Sequence, residues 1–521
     1  MTNQNTRILR PKPWLPRLDP WSAGAVLIAA IVLMPIGAVL WIAATPAENI
    51  WPHLLATVLP RYLSTTLTLM VGVGALTAVF GTGAAWLLTM YRFPRPVQGA
   101  LRTAIGGQSA RDYWFPQVRS VPAAILVLAA ALYPYVYLLA RAAFREQSGC
   151  AYEVARALGS GPRALFLRVG LPLARPAIAA GVALAAMETV NDYGTVSYFG
   201  VQTLTTGIFS VWLSGGNAGG AAQLSLVLLI MILGLVAVER AGRRNLRFHQ
   251  TSRAARPVVP IRLRGLRAWG ATALCLVPFS LGFLLPVGVI LGIALRNPDA
   301  WVSAGLGRAL ANTLVSGGVA AGLTVSAALF VVYGIRQAGR RLPRLLLPVT
   351  TIGYAAPGAV LAVGLLIPLA ALDQRVADLV LRVTGHDPGL ILTGTPAALV
   401  LAYCVRFFAI AQGAVDSAFG RVSPSLPMAA RSLGRSAGGA LQAVYLPLMQ
   451  RSVATALLVV FVDCVKELPA TLLLRPFNYD TLATRVHEKA SLENLGDAAP
   501  AAILVMLVGL AAVVLMARAN R

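Results

Sequence analysis

The chain is predicted to be an all-α polytopic membrane protein. It reads as a tandem parallel repeat with about eleven transmembrane helices, five in the first half and six in the second. Three observations predict this. Of 521 residues, 57% are hydrophobic and only 12% charged, where a soluble chain carries about a quarter charged; the mean hydropathy is +0.71. Apolar runs of more than about 18 residues recur, each able to cross roughly 30 Å of hydrocarbon as a helix. They lack the alternation of barrel strands. Finally, a set of landmarks occurs twice in the same order.

Taken in order, residues 1–20 form a basic N-terminal segment with Arg7, Arg10, Lys12 and Arg17. The first half, 21–239, holds spans at 21–44, 63–90, 121–143, 174–198 and 221–238. Its opening span is too long for a signal-peptide core and lacks a convincing cleavage site. Residues 240–267 contain nine arginines and no acid, a linker expected on the cytoplasmic side. The second half, 268–521, holds spans at 268–295, 309–333, 345–371, 390–415, 450–474 and 499–517.

The repeat is visible residue by residue. Leu33-Met34-Pro35-Ile36-Gly37 returns as Leu284-Leu285-Pro286-Val287-Gly288, and Thr66-Leu67 returns as Thr313-Leu314. Tyr152-Glu153-Val154-Ala155-Arg156-Ala157-Leu158-Gly159, with Leu171-Pro172 after it, is echoed by Met428-Ala429-Ala430-Arg431-Ser432-Leu433-Gly434 and Leu446-Pro447. Here 434 − 159 and 447 − 172 both give 275, whereas 314 − 67 gives 247. The first half is therefore 28 residues short. Opposite the 345–371 span it offers only 91–120, with Arg92, Arg95, Arg102, Arg111, Asp112 and Arg119, too polar to span lipid. The odd count, threaded back from the linker, places the basic N-terminus outside, against the positive-inside tendency.

Each loop copy is predicted to be a short amphipathic helix stopped by a glycine that accepts the left-handed conformation. Leu-Pro then marks entry into the next span. Such polar helices need a protein partner at the membrane surface. This pattern resembles the EAA cytoplasmic loop of bacterial ABC-importer permeases. The stretches Met187-Glu188-Thr189-Val190-Asn191-Asp192-Tyr193-Gly194 and Val465-Lys466-Glu467-Leu468-Pro469-Ala470-Thr471 are similar to the fused, two-half permeases of ferric-iron importers.

That resemblance implies two ATPase subunits docking on the loops, with ATP bound on those partners and no cofactor on this chain. It also implies a periplasmic binding protein on the outer face, and residence in the bacterial inner membrane as a multi-pass protein. By resemblance, Glu153, Ala155, Arg156, Gly159 and Pro172 carry the first loop, and Ala430, Arg431, Gly434 and Pro447 the second. Met428 stands where the first loop has Glu153. No phosphate-binding loop is present and only three lysines occur, Lys12, Lys466 and Lys489, so the chain reads as a permease subunit and not an enzyme.

Glu188 and Asp192 lie four apart on one helical face, and adding 275 gives Asp463 and Glu467, with Lys466 beside them. Counted from Pro172, Glu188 lies about 24 Å along its helix, past the bilayer centre. Intramembrane acids face a protein interior or a water-filled path, and carboxylates suit a hard cation such as Fe³⁺. The plainer alternative is that they brace the broken outer ends of these helices. Gly194, Gly200, Pro469 and Pro476 mark those breaks, where an outer gate is expected.

The net charge of +25 collects in loops, which points to topology and anionic lipid rather than nucleic acid. The four cysteines and four histidines are scattered, so no metal site is assigned. The predicted function is ATP-driven import, of ferric iron first. Thiamine, phosphonate or polyamine are the alternative cargoes, and an ion-coupled secondary transporter is the other mechanistic class.

Overall fold

A computed structural model describes residues 20–92, 119–244, 261–338, 350 and 356–519. The first half contains α1 (Pro20–Ala44), α2 (Leu59–Met90), α3 (Val121–Glu146), the loop helix α4 (Gly149–Ala157), α5 (Pro162–Asn191), α6 (Gly194–Tyr198), α7 (Leu204–Ser214) and α8 (Ala218–Arg244). The second half contains α9 (Leu266–Arg296), α10 (Leu306–Ala338), α11 (Gly358–Thr384), α12 (Pro396–Arg421), the loop helix α13 (Ser425–Ser432), α14 (Ala437–Val465), α15 (Pro469–Leu474), α16 (Leu482–Ser491) and α17 (Leu495–Ala519). Among the described residues, eleven helices are long and apolar enough to cross a membrane. One two-residue parallel pairing, Tyr91 with Ile261 and Arg92 with Arg262, ties the end of the linker to the end of α2.

Two spans start about a dozen residues earlier than expected, and the reason is local. α5 begins at Pro162 and α14 at Ala437, because the helix runs straight through each Leu-Pro instead of starting there. Proline lacks an N–H and crowds the carbonyl one turn back. In both copies a wider π turn precedes it, with the Leu171 N–H donating to the Phe166 carbonyl and that of Leu446 to Leu441. The same device precedes Pro286, where the Leu285 N–H reaches Ser280. Single π turns of this kind absorb a residue without ending the helix. Counted from Pro162, Glu188 stands about 39 Å along α5, at its outer end rather than just past the middle.

The third span of the second half is α11, displaced from the expected 345–371; of 345–355 only Thr350 is described. Pro357, with ψ 150°, forces the start at Gly358. At the far end the buried Asp373 carboxylate accepts the N–H groups of Ile391, Leu392 and Thr393 at 2.6–3.1 Å, so the loop folds back over the charge.

The threading conflict disappears in three dimensions. Consecutive helices α2 and α3 run parallel: Leu69 clusters with Ala124, Val73 with Leu128, and Trp86 with Phe144. Arg92 and Arg119 therefore lie towards opposite faces, and their connection, 93–118, is outside the described residues. Counting α2 and α3 as antiparallel neighbours was the error. Trp21, at the start of α1, packs on Phe330 and Tyr333, and the Tyr333 hydroxyl donates to the Ala437 carbonyl beside the second loop helix at 2.5 Å. The N-terminal end of α1 thus shares a face with the loops, as its basic flank requires.

The first spans reach across between the halves. α1 packs on α10 and α11 as well as on α8, while α9 packs on α2 and α3 and, through its second part, on α17. Close approach is allowed by glycine: a β-carbon on Gly364 would strike the Pro35 carbonyl, and one on Gly282 would strike that of Ala130. The Thr66 and Thr313 echo also acquires a role. Each hydroxyl accepts the first N–H of an outer helix, Leu204 at 3.1 Å and Leu482 at 2.8 Å. Those helices open with matching capping boxes, Thr203 with Thr206 and Thr481 with Thr484.

Candidate functional site

The two loop helices fold alike. Gly159 and Gly434 both have φ of +79°, in the region only glycine enters freely. Their N–H groups donate to Arg156 and Arg431 at 2.9 Å, closing each helix one residue past a leucine. Those leucines, Leu158 and Leu433, are 80% and 84% exposed. Neither was among the residues read from the motif, although a solvent-facing leucine before a capping glycine was legible in both copies.

Glu153, Arg156 and Met428 are exposed, Ala155 and Ala430 half-buried. Arg431 is tied to Gln337 at the end of α10. Tyr152 anchors the first loop from beneath, buried against Trp86 and donating to Gln147. Pro172 and Pro447 are not on the loop surface; they sit inside α5 and α14.

The intramembrane acids converge. Glu188, Asp192, Asp463 and Glu467 all line one cavity of about 520 Å³, with Lys466, Arg406, Tyr135, Tyr193 and His487. Their positions follow from the breaks after α5 and α14. Asp192 accepts the Val196 N–H at 3.0 Å and the Thr195 hydroxyl at 3.1 Å. Glu467 accepts the N–H groups of Ala470 and Thr471 at 3.0 Å and the Thr471 hydroxyl at 2.8 Å. These two carboxylates satisfy the N-terminal donors of α6 and α15, groups a helix start always leaves open. The bracing alternative describes them well.

Glu188 and Asp463 have no such duty. Asp463 pairs with Lys466 at 2.9 Å. Glu188 has no ion pair among the described residues, and with Tyr135 it lies within electrostatic reach of Lys466. The cations come from one side only. Arg406 meets Glu467 at 2.8 Å, while the position 275 residues earlier is Ala131; likewise Lys466 corresponds to Asn191. Four carboxylates against two cations leave the cavity net acidic, most of all on the first-half side. Among the described residues no group of three His, Cys, Asp or Glu is placed to hold a metal ion.

Sequence reasoning missed Arg406, Tyr135 and His487. An arginine inside the apolar run of α12 was the signal for the first. His487 lies on α16, with its ring 5.4 Å from that of Tyr193; nothing local to 482–491 showed that this helix covers the cavity.

Comparison with known proteins agrees with this architecture. Residues 25–246 match the family described as binding-protein-dependent transport system inner membrane component. The chain is similar to the Fe(3+)-transport system permease protein FbpB 2 of Haemophilus influenzae, 28% identical over 85% of this chain and 87% of that protein. It is also similar to the probable sulfate transport system permease protein cysT of Nephroselmis olivacea, 27% identical over 34% of this chain and 72% of that one. The putative 2-aminoethylphosphonate transport system permease protein PhnU of Salmonella typhimurium is 30% identical over 22% of this chain and 42% of its own length.

Proposed function

We propose that this chain, a multi-pass permease of the ABC-importer type, carries ferric iron across the inner membrane. In this reading a periplasmic binding protein delivers the ion to the outer face, and two ATPase subunits engage α4 and α13. The observation that carries the cargo assignment is the net-acidic cavity at the outer ends of two pseudo-symmetric spans, lined by Glu188, Asp192, Asp463 and Glu467. The likeness to an Fe(3+)-transport permease over 85% of the chain supports the same cargo. A transit site must release what it admits.

Coupling follows from geometry. Each loop helix is glycine-stopped and topped by an exposed leucine, and just beyond the glycine begins the span that holds the π turn and ends at the acids. Motion of a docked ATPase would reach the outer gate along α5 and α14, shifting the population between inward-open and outward-open states. The test is uptake of iron into vesicles holding the chain, its ATPase and its binding protein. Uptake should require ATP and be lost when Glu188 and Asp463 are neutralised. ATP-independent uptake would instead favour an ion-coupled transporter.

A second reading, an anionic cargo such as a phosphonate, is favoured by Lys466, whose side chain is 48% exposed while it lines the cavity. Lys466→Asn, which copies the first half, separates the two. It should abolish anion uptake but spare or raise iron uptake.

A further inference from the structure

The halves differ sharply where their first spans leave the loop-side face. At α1 the Trp21 indole stacks on Phe330 at 4.9 Å and meets Tyr333 edge-on at 5.1 Å. By the spacing that carries Pro35 to Pro286, the α9 residue in the place of Trp21 is the small Thr272, and Gly270 and Ala271 line the space beside Trp86, which takes the place of Tyr333. A groove of about 610 Å³ remains there. α9 is also the least covered span, with 6% of its apolar window buried against 28% for Ala23–Ala44. α11, which covers α1, has no counterpart among the described residues of the first half.

The groove has a polarity. Arg163 and Arg267 stand in the first turns of α5 and α9, both exposed, and among the described residues neither has an acidic partner and no carboxylate lines the groove. Below them the walls are Trp86, Phe166, Leu167 and Leu274. From Arg267 to Leu274 the helix descends about 10 Å. Two guanidiniums at the membrane surface above an apolar slot match an amphiphile with a negative head, since basic groups at this level attract anionic lipid.

We propose that this groove binds one anionic phospholipid. Its phosphate is bridged by Arg163 and Arg267, and an acyl chain lies against Trp86, Phe166 and Leu274. The lipid replaces the packing that Trp21 supplies in the other half and fastens α9 to the first half beside α4. The cargo does not enter this argument.

The test uses the full chain purified in mild detergent, supplied with phosphatidylglycerol or phosphatidylethanolamine and read by native mass spectrometry. One phosphatidylglycerol should be retained, and phosphatidylethanolamine should not. Arg163→Gln with Arg267→Gln should lower retention on the order of tenfold or more at fixed lipid. Gly270→Trp should expel the lipid with both arginines present; Gly270 lines the groove and a β-carbon there meets nothing within 4 Å. Equal retention of the two lipids, no retention by the unsubstituted chain, or full retention by the arginine variant would each overturn the proposal. Should Gly270→Trp not fold, the arginine variant decides alone, because both side chains are on the surface.

Discussion

The Arg406 guanidinium lies 2.8 Å from the Glu467 carboxylate, and among the described residues no cation pairs with Asp192, its counterpart 275 residues earlier. The two acids do the same capping work, yet only one is neutralised. Glu467 is 4% exposed, and Gly358 must be glycine because a β-carbon there would strike both partners. This pair holds α11, α12 and α15 together at the cavity wall.

Arg406→Gln should therefore destabilise the chain by about 3 kcal/mol, the usual cost of leaving a buried charge unpaired. Adding Glu467→Gln should recover much of the loss, since an amide still accepts the Thr471 N–H. Thermal unfolding in detergent measures both. An Arg406→Gln midpoint equal to the parent's would show that the ion pair is not holding this wall.

The acids should divide by role. Glu188→Gln and Asp463→Asn should lower ATP-driven uptake on the order of tenfold each, equivalent to about 1.4 kcal/mol at the limiting step, with little change in melting temperature. Asp192→Ala should cost about 1 kcal/mol of stability through the lost cap. Glu467→Ala reports on folding rather than on the pathway. If Glu188→Gln transports at the parent rate, that acid is no part of the path.

The loop helices should respond at their glycines and leucines. Gly159→Val and Gly434→Val force a branched residue into left-handed backbone, a strain of about 1–2 kcal/mol. Both should weaken co-purification of the ATPase. Leu158→Glu or Leu433→Glu should do the same without strain, because these side chains touch solvent. An ATPase that co-purifies undiminished with the Leu158→Glu, Leu433→Glu double variant would move the docking surface elsewhere.

Acidification should loosen the cavity cover. His487 is held below its ordinary value of 6.5 by burial beside Tyr193, with Glu488 acting weakly in the opposite sense. The unfolded chain takes up the proton near 6.5; the folded chain does so only at lower pH. Between those values the unfolded state binds more protons, so stability falls as pH drops through that window. Melting temperatures at about pH 7.5 and about 5.5 should differ more for the parent chain than for His487→Gln. Equal differences would remove His487 as the cause.

What the sequence determined by itself was everything carried by local pattern. Long apolar runs gave eleven spans, a repeated spacing gave the duplication, and glycine after leucine gave two left-handed helix stops, because each depends on residues within a few turns. Tertiary structure decided what depends on distant partners. Asp192 and Glu467 became caps, leaving Glu188 and Asp463 without that duty at the cavity wall, because helices α6 and α15 turn their open N–H groups onto the first pair. Arg406 and His487 joined the cavity because α12 and α16 pack around it, and α2 and α3 proved parallel because side chains along their whole length pair in register. Hydropathy measures how readily a segment leaves water; it carries no information on which neighbour the segment meets there.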